Sequence, residues 1–191
     1  MLLFAFLIFG NIWLNLTQGL TLLHIQYEYL AAISVVSLLG IAKIIDAGTG
    51  VNSVIIATST FWKFEFYTNI ILLGLRIPIA YILIERYGIL GPAYAELISQ
   101  VAYNFIRYEF LRRKFNMQPF NMETIYTIIL GTLAIGATYF LFSGIDGWLG
   151  IVLRVLTFSS VFIGGTFLLK LTPDAMQLVD VAKTRIQDWK K

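Results

Sequence analysis

Three ionisable side chains stand inside stretches that are otherwise greasy. Lys43 and Asp46 fall within residues 29–57, and Arg76 lies near the middle of residues 66–84. A charge at bilayer mid-depth costs roughly 2.5–3.5 kcal/mol on insertion scales, so such groups turn toward a bundle interior or a wet cavity. Lys43 and Asp46, three residues apart, share one helical face. The two stretches would run antiparallel, which makes an Arg76–Asp46 pair geometrically allowed. Two bases against one acid leave an excess of positive charge, and a planar guanidinium fork suits phosphate oxygens. The same residues can instead form a salt-bridge network that only fixes packing, with Lys43 snorkelling to the surface. Asp46 is the mid-membrane acid available for coupling to an ion gradient. Asn52, Asn69, Gln100 and Asn104 can line the same interior or bond helix to helix. Glu96 and Arg154, nearer the ends of their stretches, can snorkel, pair locally or meet a substrate.

What would position these groups is a membrane bundle. Of 191 residues, 58% are apolar and only 13% charged, with mean hydropathy +0.78, against about 45–50% and about 25% in soluble domains. The absence of cysteine removes disulfides, thiol nucleophiles and Cys metal sites. With His24 the sole histidine, a histidine metal centre or Ser-His triad has nothing to build on. No enzyme activity, metal or cofactor is therefore expected. The net charge of +3 does not point to nucleic acid, because the basic residues flank apolar runs.

A helix needs about 20 residues to cross a bilayer, and six stretches meet that need: 2–17, 29–57, 66–84, 89–106, 123–143 and 148–170. The second is too long for one straight span and contains "AGTG" at 47–50, which predicts a kink. The first resembles a secretory signal but lacks a basic lead-in and reads as a retained helix. With the N-terminus inside, ten Lys and Arg, including Lys63, Arg107 and Arg112–Lys114, fall on the inner side, and Arg86 alone lies in an outer loop. Both termini are then cytoplasmic.

The expected fold is an all-α polytopic bundle over residues 1–171, followed by a tail, 172–191. In the tail Pro173 suits a first helical position, and Leu178, Val181, Ile186 and Trp189 recur at helical spacing. That predicts an amphipathic helix on the inner membrane surface. Pro78, two residues after Arg76, predicts a bend. In "RYGILGPAYAELIS", Gly88 and Gly91 permit a tight corner and Pro92 starts the next helix.

The segment from Asn52 to Phe115, with Asn52–Thr58, the corner Arg86–Ala93 and the basic cluster Arg107–Lys114, resembles the second half of bacterial polysaccharide flippases. These belong to the multidrug/oligosaccharidyl-lipid/polysaccharide exporter superfamily. The resemblance implies the last four helices of a second lobe plus an extra pair, with a first lobe absent from this chain. It also implies a place in the bacterial inner membrane. The whole transporter would flip a lipid-linked oligosaccharide between leaflets by alternating access, with Lys43 and Arg76 meeting the anionic headgroup. Glu96 departs from the family pattern, so no role carries over to it. A multidrug and toxin extrusion relative exporting organic cations is one alternative, and a non-transporting membrane scaffold is another. The expected partners are the lipid-linked glycan, membrane lipids and the missing lobe.

Overall fold

The computed structural model describes residues 1–25, 30–49, 52–117 and 122–171. The expected amphipathic tail lies outside them. Every element among the described residues is helical: α1 (Leu2–Leu22), α2 (Leu30–Gly48), α3 (Asn52–Thr58), α4 (Trp62–Tyr87), a 3-10 turn (Gly88–Leu90), α5 (Gly91–Phe115), α6 (Met122–Phe142) and α7 (Gly147–Leu168). The expected spans are thus found to within a few residues, except that α5 runs nine residues further. The long second span is broken. Its two pieces, α2 and α3, differ in direction by 52° across the glycine-containing segment.

Among the described residues four helical runs are long and apolar enough to cross a membrane: Leu2–Leu22, Trp62–Phe115, Met122–Phe142 and Gly147–Leu168. The bent α2–α3 pair makes a fifth. The Trp62–Phe115 run doubles back at its 3-10 turn, so it supplies two antiparallel rods, α4 and α5. Gly88 makes this corner possible. Its φ of 55° and ψ of −128° lie in a region open to glycine. Three residues on, a Cβ on Gly91 would stand 2.5 Å from the backbone of Leu83 and Ile84. Because backbone cannot move aside as a side chain can, Gly91→Val is expected to splay the hairpin. The check is a lower melting temperature in detergent, with Gly74→Val, where a Cβ meets nothing within 4 Å, as the control. α4 continues unbroken through Pro78.

The chain packs as two groups joined by α2, which touches α1 on one side and α5 on the other. In the first, α1, α6 and α7 enclose an aromatic core of Phe6, Leu14, Ala134, Phe158 and Phe162. Glycines let these rings in: a Cβ on Gly10 would collide with Phe158, on Gly40 with Phe9, and on Gly131 with Phe6. Small residues of this kind bring membrane helices close. The second group is the α4–α5 hairpin with α3 against it.

Beside that apolar core, the partition of side chains departs from a soluble protein's. Glu65, Glu96, Arg107, Arg154 and Asn104 are buried, while Phe66, Ile70, Ile77, Phe105, Phe140 and Leu156 are exposed. In water such an arrangement would forgo most of the hydrophobic driving force. In lipid it is the stable one, because exposed apolar groups cost nothing there and polar groups find partners inside. This is a multi-pass membrane protein.

Candidate functional site

α5 carries the polar interior. Glu96, Ser99, Tyr103, Asn104, Arg107 and Leu111 are buried along it, recurring every three or four residues, while Ile98, Val101, Phe105 and Ile106 face outward. A helix with this pattern buries its hydrophilic face. Facing it across the hairpin, α4 supplies Glu65, Asn69 and Arg76.

The pairing is reciprocal. Arg107 on α5 meets Glu65 on α4 through two contacts, Nη2 to Oε1 and Nε to Oε2, the second at 3.2 Å. Eleven residues away on each helix the signs reverse, and Arg76 on α4 meets Glu96 on α5. Between them, the Tyr103 hydroxyl lies 2.8 Å from Glu65 Oε1 and within hydrogen-bonding reach of Asn69 Oδ1. The same hydroxyl accepts from Arg107, whose guanidinium also sits 3.5 Å from the centre of the Tyr103 ring. Eleven helical residues span roughly 16 Å, about half a hydrocarbon core.

Two cavities open on this face. One, of about 510 Å³, is lined by Lys43, Asp46, Thr49, Ser53, Gln100, Tyr103 and Arg107, with Met1 at its mouth. A smaller one, of about 230 Å³, is lined by Asn69, Arg76, Glu96, Ser99, Gln100 and Tyr103. They share Gln100 and Tyr103 and so adjoin along α5 as one polar passage, whose first part is lined by Met1 and Lys43 and whose second is lined by Arg76 and Glu96. There Glu96, with a side chain only 10% exposed, holds both cations: Arg76 directly and Lys43 at 3.8 Å. Those two remain accessible, at 49% and 67%.

Of the residues anticipated from sequence, Lys43, Asp46, Arg76, Asn69 and Glu96 come together around this passage. Asn52 does not; it is buried at the start of α3 and lines neither cavity. The partner of Arg76 is Glu96, not Asp46, because the tight corner fixes α5 against α4 while α2 packs mainly on α1 and α5. Asp46 is therefore not the sole mid-depth acid. The expected excess of positive charge is also absent: Lys43, Arg76 and Arg107 stand against Asp46, Glu65 and Glu96, three of each sign.

Glu65 and Arg107 were not anticipated as site residues, since Arg107 adjoins the basic run Arg112–Lys114 and reads as its beginning. Asn104 accepts a 2.9 Å hydrogen bond from Thr49 and ties α5 to the end of α2. Arg154 serves structure. Its Nη2 donates to the carbonyls of Phe142 and Ile145 at 2.8 and 2.9 Å, and its Nη1 donates to Gln18. Arg154 thereby ties the last carbonyl of α6 and the carbonyl of Ile145 in the following turn to α7.

No protein-family model, curated protein or solved structure gives a significant match to this chain.

Proposed function

We propose that this chain is one lobe of a transporter that moves an anionic, lipid-linked oligosaccharide across the bacterial inner membrane by alternating access, with both termini cytoplasmic. The observation that carries the reading is the pair of adjoining polar cavities, one lined by Lys43 and the other by Arg76, whose cations share the buried Glu96. A cation left half-exposed at bilayer depth is poorly placed against acyl chains and well placed on the wall of a cleft whose other wall is a second lobe. The resemblance of Asn52–Phe115 to polysaccharide flippases supports the same cargo.

The chemistry needs only exchange of partners. Glu96 neutralises Arg76 and Lys43 while the cleft is empty, and a phosphate-bearing headgroup competes for the same donors. Guanidinium–phosphate contacts are bidentate and charge-assisted, which lets the cargo displace a single carboxylate. Rocking of one lobe against the other then carries the headgroup past mid-depth. No covalent bond is broken.

The even balance of charge favours a second reading, an exporter of organic cations. Glu96, Glu65 and Tyr103 provide the acidic and aromatic lining that such cargo needs. Expression together with a flippase's first lobe, in bacteria deleted for a polysaccharide flippase, separates the two. Restored surface polysaccharide without efflux of a cationic dye is the expected result. Dye efflux without polysaccharide establishes the second reading. Movement of neither cargo, with the chain recovered in a stable membrane complex, identifies a scaffold and overturns both.

A further inference from the structure

At the end of the bundle opposite Met1 lies a cavity that the passage along α5 does not reach. It measures about 540 Å³ and is walled by the second half of α1, the start of α2, and the turn from α6 to α7. That size falls within the roughly 300–1,000 Å³ of small-molecule sites. Its ligand class can be argued from which hydrogen-bonding groups remain available.

The donors around it are largely committed to the protein itself. Arg154, 7% exposed, gives its guanidinium to Phe142, Ile145 and Gln18. The Trp13 indole donates to Ser37 Oγ at 3.1 Å, Thr21 to the Thr17 carbonyl at 2.9 Å, and Ser143 to the Phe140 carbonyl at 3.3 Å. Gln18 donates to Asp146 Oδ1 at 3.1 Å. What the lining adds beside these committed donors is the hydroxyls of Thr17 and Tyr139, which can accept, the second oxygen of Asp146, and the ring pair Trp13–Tyr139, whose centres lie 6.0 Å apart at 48°. Among the described residues no cation forms a salt bridge with Asp146. The C-terminal end of α1, which carries partial negative charge and no basic residue in its last turn, adds to the field.

We infer that this cavity binds an ammonium group. Acceptor-rich walls with aromatic faces suit a compact cation with several hydrogens to donate, and an anion would find Arg154 already engaged. The Arg154–Gln18–Asp146 chain also holds the carboxylate in place, so the site is pre-organised. Opening as it does at the end of membrane-spanning helices, it can receive the amine of a zwitterionic lipid headgroup or a soluble amine.

The test uses the whole chain in detergent, equilibrated with equal amounts of phosphatidylethanolamine and phosphatidylglycerol, with bound lipid counted by native mass spectrometry. Retention of the ethanolamine lipid over the glycerol lipid is expected. Asp146→Asn should reduce that preference about tenfold, the effect of losing one charge-assisted contact of roughly 1.4 kcal/mol. Tyr139→Leu, which removes an aromatic face without changing charge, should reduce it severalfold and serves if Asp146→Asn fails to fold. Displacement of the lipid by millimolar ethanolamine identifies the amine alone as sufficient, and resistance to it identifies the lipid as the source. Equal retention of both lipids by the unaltered protein, or undiminished preference in both variants, overturns the inference.

Discussion

Arg107→Leu is expected to destabilise the bundle by about 3–5 kcal/mol, the range for breaking a buried ion pair by removing one partner. Both side chains of the Glu65–Arg107 pair are only 9% exposed, so water cannot screen the Glu65 carboxylate that the variant leaves behind. Tyr103 loses a donor to its hydroxyl at the same time. Replacing both partners, Glu65→Leu with Arg107→Leu, should recover most of the loss, because two apolar side chains meeting across a membrane hairpin need no partner at all. The measurement is a double-mutant cycle by denaturant unfolding in micelles, and a coupling energy of at least about 2 kcal/mol is expected for groups in one network. Additive losses would mean that the two side chains do not depend on each other, and the α4–α5 ladder would lose its central element.

That ladder was written in the sequence in a form the reading of single charges missed. Arg76 and Glu96 lie ten residues either side of Arg86, Asn69 and Tyr103 seventeen, Glu65 and Arg107 twenty-one. Each pair is a reflection about the corner. Once Gly88 and Gly91 are recognised as a tight turn, helix geometry places every such pair at one depth, and the reversed order of signs follows as complementarity. Sequence inspection found the corner, the six long apolar stretches and the interruption near Gly48, because each depends on local signals: length, glycine and proline. It allowed an Arg76–Asp46 pair since both were near mid-span, but mid-span position says nothing about which helices are neighbours. α2 packs mainly on α1 and α5, which leaves a carboxylate of α5 as the neighbour of Arg76.

The inverted burial pattern was only partly legible. Glu96 stood out as unusual within its stretch, and its burial explains it: it is the shared counter-ion of two cations from two helices. Arg154 resembled Arg76 in sequence, a lone arginine in an apolar run. The difference is seven residues of distance from a helix start. Seven residues into α7, Arg154 still reaches back to the carbonyls that end α6, whereas Arg76 lies fourteen residues into α4, where no helix end is at hand and a carboxylate from a neighbour must serve.

Arg76→Ala is expected to lower polysaccharide export about ten- to a hundredfold while the protein still folds. Hydrogen bonds to charged groups contribute roughly 1.5–3 kcal/mol, and this one is lost from cargo binding. Stability should change less than with Arg107, because the buried Glu96 carboxylate keeps a second cation, Lys43 at 3.8 Å, when Arg76 is removed. Glu96→Gln separates the two cargo readings. If the cations meet an anionic headgroup, removing their resident carboxylate tightens binding and slows release, so the apparent KM and the maximal rate of export should fall together. If Glu96 itself meets an organic cation, Glu96→Gln should abolish dye efflux and Arg76→Ala should leave most of it. Lys43→Ala provides the internal comparison: at 3.8 Å from Glu96 and more exposed than Arg76, it should show the same direction of effect with a smaller size. An effect of Lys43→Ala larger than that of Arg76→Ala would place the cargo nearer α2 and displace Arg76 from the centre of the site.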